Sequence, residues 1–200
     1  MIIETFEQCS DEWFAARLGR PSASKFSQII TTKGEPSKQR KKYLYQLAGE
    51  RISGAREETY CNSSMQRGTE MEPEARSLYE LMRDVSVDQV GICYKNESKT
   101  FSCSPDGLVG DAGGLEIKCP SMAVHIEYLI GGKLPTDYFQ QVHGSLFITG
   151  RKWWDFLSYY PGIKPLLVRV YPDEKFMAAL SNELDAFCEE LSSIVSEIKD

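Results

Sequence analysis

Ser104-Pro105-Asp106-Gly107-Leu108-Val109, followed by Leu115-Glu116-Ile117-Lys118-Cys119-Pro120, is the stretch on which fold and chemistry both turn. Pro-Asp-Gly is turn chemistry, and 110–114 reads as a second turn. Residues 115–118 alternate apolar and polar at the period of a strand. Glu116 and Lys118 therefore share one face, and Ile117 points into the opposite core. A hairpin joining the two segments would carry the Asp106 carboxylate towards Glu116. Two converging carboxylates suit Mg²⁺, a hard cation that prefers oxygen ligands. An ammonium beside them can orient or deprotonate water, or neutralise charge developing on a phosphate.

The surrounding pattern predicts the layers that hold this hairpin. Ser10 caps a helix whose first turn is acidic, ending near Gly19-Arg20-Pro21. A second helical segment starts at Ser22 or Ser24 and turns Phe26, Ile29 and Ile30 inward. Residues 31–37 form a loop. Residues 37–53 read as a helix with Tyr43, Leu44, Leu47 and Ile52 as its apolar members, and 63–83 as another. Pro73, which lacks an amide proton, should kink or restart the latter. Segments 85–87, 91–94 and 101–103 are strand-like. Helical segments at 121–131 and 136–149 follow, then strands at 153–160 and 166–171. An amphipathic helix closes the chain, with Phe176, Leu180, Leu184, Phe187, Leu191, Ile194 and Ile198 as apolar members. This order predicts an α/β (α+β) fold, a central mixed β-sheet flanked by α-helices, in one domain over 1–200.

At 200 residues and 42% hydrophobic content, the chain can bury one ordinary core. It has no apolar run of the roughly 18 residues that a membrane helix needs. The Met-Ile-Ile-Glu start has no basic region, so a cytoplasmic protein is expected. Cysteines at 9, 61, 93, 103, 119 and 188 form no CxxC pair, and the isolated His125 and His143 add no zinc pattern. They read as reduced thiols. The net charge is -6, and the whole deficit lies in residues 173–200. Residues 33–51 are locally basic, with Lys33, Lys38, Arg40, Lys41, Lys42 and Arg51 against Glu35 and Glu50. A basic surface for nucleic acid is therefore compatible with an acidic whole.

Asp, a spacer and then Glu-x-Lys is the pattern of metal-dependent nucleases. An isolated Glu-x-Lys on an amphipathic strand is more commonly a solvated face, and the Pro-Asp-Gly turn at this distance weighs against that. Ser-Pro-Asp-Gly-Leu at 104–108 with Gly-Leu-Glu-Ile-Lys-Cys-Pro at 114–120 resembles the active-site strand pair of the lambda exonuclease family. These are the YqaJ-type viral recombinases of the PD-(D/E)xK nuclease superfamily. Three further motifs match in order. Trp13-x-x-x-Arg17-Leu18-Gly19 with Ser22-Ala23-Ser24 resembles the family's N-terminal motif. Gly68-x-x-x-Glu72 with Ala75 resembles its helical glutamate motif, and Tyr138-x-x-Gln141-Val142 its glutamine motif. The likeness spans nearly the whole chain.

The resemblance implies a restriction-endonuclease-like core and a Mg²⁺-dependent, processive 5′→3′ exonuclease on double-stranded DNA. Such an enzyme releases mononucleotides and leaves a 3′ single strand for phage-type recombination. It implies two Mg²⁺ ions, with Mn²⁺ as the alternative, held by Asp106, Glu116 and the Ile117 carbonyl. Lys118 would position or activate the attacking water, Glu72 would hold a water on the metal, and Gln141 would orient the site. Arg17, Ser24 and Ser104 would take the 5′-phosphate. Met65 falls at the position of an apolar wedge, and Lys33 at a DNA backbone contact. The implied partners are duplex DNA, two further copies in a toroidal homotrimer and a single-strand annealing protein, with no membrane. The implied setting is the cytoplasm of a bacterial host of the phage or prophage. Alternatives are a restriction-like or structure-specific endonuclease on the same core, and a non-catalytic DNA-binding subunit. For Trp153-Trp154 and Tyr159-Tyr160, strand context favours core or subunit packing over base stacking.

Overall fold

The computed structural model describes residues 1–56 and 63–199, with the backbone alone at 63–66 and 69. In chain order the elements are β1 (Ile2–Glu4), α1 (Asp11–Arg17), a 3₁₀ segment (Ala23–Gln28), α2 (Arg40–Ser53), α3 (Ser63–Arg83), β2 (Ile92–Tyr94), β3 (Ser102–Cys103), β4 (Gly107–Val109), β5 (Gly113–Lys118), α4 (Met122–Gly131), a 3₁₀ turn (Thr136–Tyr138), α5 (Phe139–Thr149), β6 (Trp153–Ser158), β7 (Leu166–Val170) and α6 (Glu174–Lys199).

The hairpin forms. β4 and β5 pair antiparallel, Gly107 opposite Leu115 and Val109 opposite Gly113. β5 then pairs parallel with β6, and β6 antiparallel with β7, so the sheet β4-β5-β6-β7 is mixed. A parallel pair needs a long crossover, which α4 and α5 supply. β5 begins earlier than its sequence suggests, because Gly113 and Gly114 belong to the strand rather than the turn. A Cβ on Gly113 would meet the Trp153 ring at 2.1 Å, and one on Gly114 the Trp154 ring at 2.2 Å. Glycine is what lets the two tryptophans of β6 lie against β5.

Other boundaries also differ from expectation. β1 pairs with β2, and β2 with β3, in a separate antiparallel sheet. Residues 85–87 form no strand; only Asp88 bridges to Leu108. α3 runs unbroken through Pro73, whose ring lies on the exposed face. The segment after Ser22 is 3₁₀ rather than α, though Phe26, Ile29 and Ile30 are buried as expected. Ile52 is only half-buried, and Ile198, in the last turn of α6, is exposed.

Two apolar clusters sandwich β5. The larger packs Phe26, Leu44, Leu47, Val142, Leu146, Trp154 and the buried stripe of α6 together. The smaller packs Ala75 and Tyr79 of α3 against Leu115, Ile117, Leu157 and Tyr159. Trp154 and Tyr159 are buried, and Trp153 lies beneath the Arg169 guanidinium at 3.7 Å. These aromatics pack in the fold, as their strand context suggested. Asp155 of β6 is fully buried and fixes the sheet to α3. It accepts two bonds from Arg169 at 2.8 Å each and one from the Tyr79 hydroxyl at 2.9 Å.

α6 lies along α2, and Glu183 and Glu190 pair with Arg40 at 3.7 and 2.5 Å. The acidic tail thus neutralises part of the basic run. Arg51 is also engaged, donating to the Gly19 carbonyl at 2.7 Å. Among the described residues, Cys9, Cys93, Cys103, Cys119 and Cys188 are free thiols, and no helix is long and apolar enough to cross a membrane.

Candidate active site

Asp106 stands just before β4, and its carboxylate reaches across the hairpin to accept the Ile117 N–H at 2.6 Å. The loop bearing Asp106 is thereby locked to the strand bearing Glu116 and Lys118. On β5, Leu115 and Ile117 face α3, while Glu116 and Lys118 face the other way. Glu116 is 1% exposed. One of its oxygens, Oε1, accepts from Lys118 and from the Gln141 side chain of α5. The other, Oε2, is buried with no hydrogen-bond partner. A buried carboxylate oxygen without a donor is costly to keep.

Gln141 and its neighbour divide their roles. Gln140 is buried and donates to the Ile30 carbonyl at 3.1 Å, so it is structural. Gln141 is the amide that reaches the site. On the opposite side, Glu72 of α3 pairs with Arg76 one helical turn later, and Arg76 Nε donates to the Asp106 carbonyl at 3.3 Å.

The charges are crowded. Burial first, and Asp106 second, raise the Glu116 pKa from 4.5 to about 7, against the opposing pull of Lys118. Burial and Asp106 likewise raise Glu72. Burial alone would lower the Lys118 ammonium, but Glu116 and Asp106 beside it raise it above the ordinary lysine value. Among the described residues, no three His, Cys, Asp or Glu side chains converge as a metal cluster. The hard oxygens that the hairpin brings together are the Asp106 and Glu116 carboxylates. They include an orphaned buried oxygen and carry surplus negative charge, so they fit a divalent hard cation.

A second cluster lies beside the first on the same turn. Gly19, in the left-handed region at φ 63°, ends α1 two residues after Arg17. Its N–H donates to buried Glu50 at 3.0 Å, which explains why that acid lies inside the basic run. Arg17 is thus held in place, its guanidinium 4.2 Å over the Trp13 ring. It donates to Ser104 Oγ and Ser22 Oγ at 3.0 Å each, and to Ser24 Oγ at 3.4 Å. Among the described residues no carboxylate pairs with it, and burial lowers its pKa. Trp13 Nε1–H also donates to Ser104 Oγ, at 3.0 Å. Both lone pairs of that hydroxyl are then used, so its proton is left to donate outward. A guanidinium without a counter-ion, ringed by hydroxyls, is suited to an anion.

The structure thus brings Asp106, Glu116, Ile117, Lys118, Glu72 and Gln141 together, and Arg17, Ser24 and Ser104 beside one another. Lys33 is exposed in its loop. The Met65 side chain lies outside the described residues. His143 packs between Phe139 and Phe176, at ring distances of 4.2 and 5.5 Å. His125 is buried against Ser158 and the Lys164 carbonyl, at 2.7 and 3.1 Å. Neither histidine joins the site. Three contributors carry no role in the sequence reading: Arg76, Ser22 and the indole N–H of Trp13. For Trp13 the i, i+4 spacing to Arg17 was the available signal.

Comparison with known proteins bears on this geometry. The model of the YqaJ-like viral recombinase domain matches residues 12–152, which include both clusters. The chain belongs to that family. An alkaline exonuclease, LHK-Exo from Laribacter hongkongensis, is 36% identical with a TM-score of 0.87, covering 95% of this chain and 96% of its own. That protein is also known in complex with dAMP, with the same identity and coverage. A phage-related exonuclease from Haemophilus somnus 129PT shares the fold at 15% identity, with a TM-score of 0.70 and coverage of 90% and 96%. Comparison with curated proteins returns no match. The YqaJ-like assignment and the structural likeness together agree with the mixed α/β architecture expected from the order of elements and with the nuclease core that the motif resemblance implied.

Proposed function

We propose that this YqaJ-like chain is a metal-dependent 5′→3′ exonuclease on double-stranded DNA. It would remove mononucleotides from the 5′-ended strand and leave a 3′ single strand for recombination by annealing. The observation that carries this reading is the Asp106–Ile117 bond, which sets one carboxylate against a strand whose Glu116 has a buried, unpartnered oxygen. The 36% identity to an alkaline exonuclease over 95% of the chain supports it.

Asp106, Glu116 and the Ile117 carbonyl would hold Mg²⁺, or Mn²⁺ in its place, and two ions suit the proposed chemistry. When bound, the metal supplies Lewis-acid stabilisation of the scissile phosphate and lowers the pKa of water. The chain's own groups do the rest. Gln141 anchors Glu116 Oε1, leaving Oε2 free. Lys118, held as an ammonium by its two carboxylates, donates to water or a phosphate oxygen and offsets charge that develops there. Glu72, facing the pair from α3, would accept a hydrogen bond from water in the site. Arg17, with the Ser104 and Ser24 hydroxyls, would bind the 5′-phosphate and measure the chain end, so that each cut exposes the next phosphate to the same pocket. Met65 is assigned as an apolar wedge by its motif position, and exposed Lys33 as a backbone contact.

A ring of three copies would keep the duplex enclosed between cuts, with an annealing protein receiving the 3′ strand. The setting would be the cytoplasm of a bacterium carrying the phage or prophage. The test compares a linear duplex with a closed circle, in Mg²⁺ or chelator, for the wild type and Asp106→Ala. Mononucleotides from the linear substrate alone, lost with chelator and with the substitution, are expected. Cutting of the circle would favour an endonuclease. Binding with no product under any condition would favour a non-catalytic subunit.

A further inference from the structure

Arg76 lies outside the Asp, Glu-x-Lys and phosphate-pocket groups, and among the described residues its bonds go to Glu72 and Asp106 rather than to Arg17, Ser24 or Ser104. Its position is nevertheless specific. It projects from α3 one turn after Glu72, and its guanidinium is nearly enclosed, with 11% of the side chain exposed. One nitrogen pairs with the Glu72 carboxylate, while Nε donates to the Asp106 main-chain carbonyl at 3.3 Å. Asp106 in turn accepts the Ile117 N–H at 2.6 Å. The three acid-bearing elements, α3, the loop before β4 and β5, are therefore joined in series, and Arg76 is the link from α3 to the loop. The hairpin bond fixes Asp106 to β5, and Ala75 and Tyr79 pack α3 on β5, but it is Arg76 that ties the Glu72 carboxylate to the loop bearing Asp106.

We infer that Arg76 is a positioning residue that sets the separation of Glu72 from Asp106 and so fixes the geometry of the divalent-cation site. The inference rests on the nuclease reading. The guanidinium suits the task because its planar fork can serve a carboxylate and a carbonyl at once. A lysine carries the same charge but, as a point donor, cannot hold both partners in one plane. The alternative is that Arg76 only supports the helix. Helix support would alter folding but not the affinity for metal in protein that remains folded.

The experiment uses the full chain without DNA and titrates Mn²⁺ by calorimetry into wild type, Arg76→Lys and, as a control, Asp106→Ala. Circular dichroism establishes a temperature at which all three are folded. Groups that orient metal ligands typically change affinity by about 10- to 100-fold. Arg76→Lys is accordingly expected to weaken Mn²⁺ by about tenfold or more. In the nuclease assay it should lower kcat at saturating metal while leaving KM for duplex within about twofold, since the phosphate pocket is untouched. A smaller change in Mn²⁺ affinity overturns the role of Arg76 and leaves the nuclease reading standing. Wild type that binds no Mn²⁺ removes both. Arg76→Lys that melts earlier in chelator yet binds Mn²⁺ like wild type overturns the inference in favour of helix support.

Discussion

Substituting Glu116 by Gln should make the metal-free protein more stable in alkaline buffer while destroying its activity. Glu116 is 1% exposed, its Oε2 meets no donor, and its pKa is raised from 4.5 to about 7, chiefly by burial. The folded protein therefore holds a proton that the unfolded chain releases. Because the folded value is the higher one, this carboxyl costs nothing at pH below 4.5, and its cost grows as pH rises and is complete above about 7. At 1.36 kcal/mol per pH unit the difference is about 3 kcal/mol. For a chain of this size that is roughly 6–12 °C in Tm. Glu72 is raised for the same reasons and adds a loss of the same sign, so the comparison must isolate Glu116. Thermal melts in chelator from pH 4.5 to 8.5, wild type beside Glu116→Gln, do so. The gap should move in favour of the variant by about 3 kcal/mol towards the alkaline end. Saturating Mg²⁺ should then raise the wild type alone, by about 2.7 kcal/mol at a hundredfold excess over Kd. Parallel pH curves would refute the reasoning, since Glu116 would then be no harder to ionise in the fold than in the open chain.

Arg17→Ala should abolish the preference for a 5′-phosphorylated over a 5′-hydroxyl end. A hydrogen bond to a charged group contributes about 1.5–3 kcal/mol, so KM for the phosphorylated duplex should rise roughly 10- to 100-fold. An equal loss on both substrates would point to damage rather than a phosphate pocket. Trp13→Phe keeps the ring under Arg17 and removes the N–H shared between Ser104 Oγ and the Gly91 carbonyl, and it should cost about 1 kcal/mol, roughly fivefold, in the preference for the phosphorylated end. Paired KM values on the two ends check this. Asp155→Asn should destabilise the fold by about 3 kcal/mol in denaturant melts by breaking the buried pair with Arg169, with Mn²⁺ affinity of the folded protein unchanged.

The hairpin was legible because its signals were local. Pro-Asp-Gly sets a turn, and alternation at 115–118 separates Glu116 from Ile117 by face. The helices with strong apolar periodicity, α2 and α6, were legible for the same reason. What was not legible depended on pairing between distant segments. β1 is three residues whose strand character comes from β2, ninety positions away. Residues 85–87 look like a strand, yet they lack a ladder partner beyond the single Asp88 bridge. Gly113 and Gly114 read as a turn because the tryptophan rings that require them are on β6. At the site, Glu72, Gln141 and the phosphate cluster were placed by motif resemblance rather than by residue chemistry. Arg76 was invisible because its second partner is a main-chain carbonyl, which no side-chain pattern records. Glu50 looked like one acid in a basic run until its bond to Gly19 showed why it is buried.

The most direct test of a nuclease that enters from a 5′ end is the polarity of its product. A linear duplex carrying distinct labels at the 5′ and 3′ ends of one strand is incubated with the wild type in Mg²⁺, and the released species are resolved by size over time. The 5′ label should appear first, as a mononucleotide, with the 3′ label retained on long single strands. Early release of the 3′ label, or a 5′ label that first appears on oligonucleotides, would contradict the assignment of Arg17, Asp106, Glu116 and Lys118 to stepwise hydrolysis from the 5′ end.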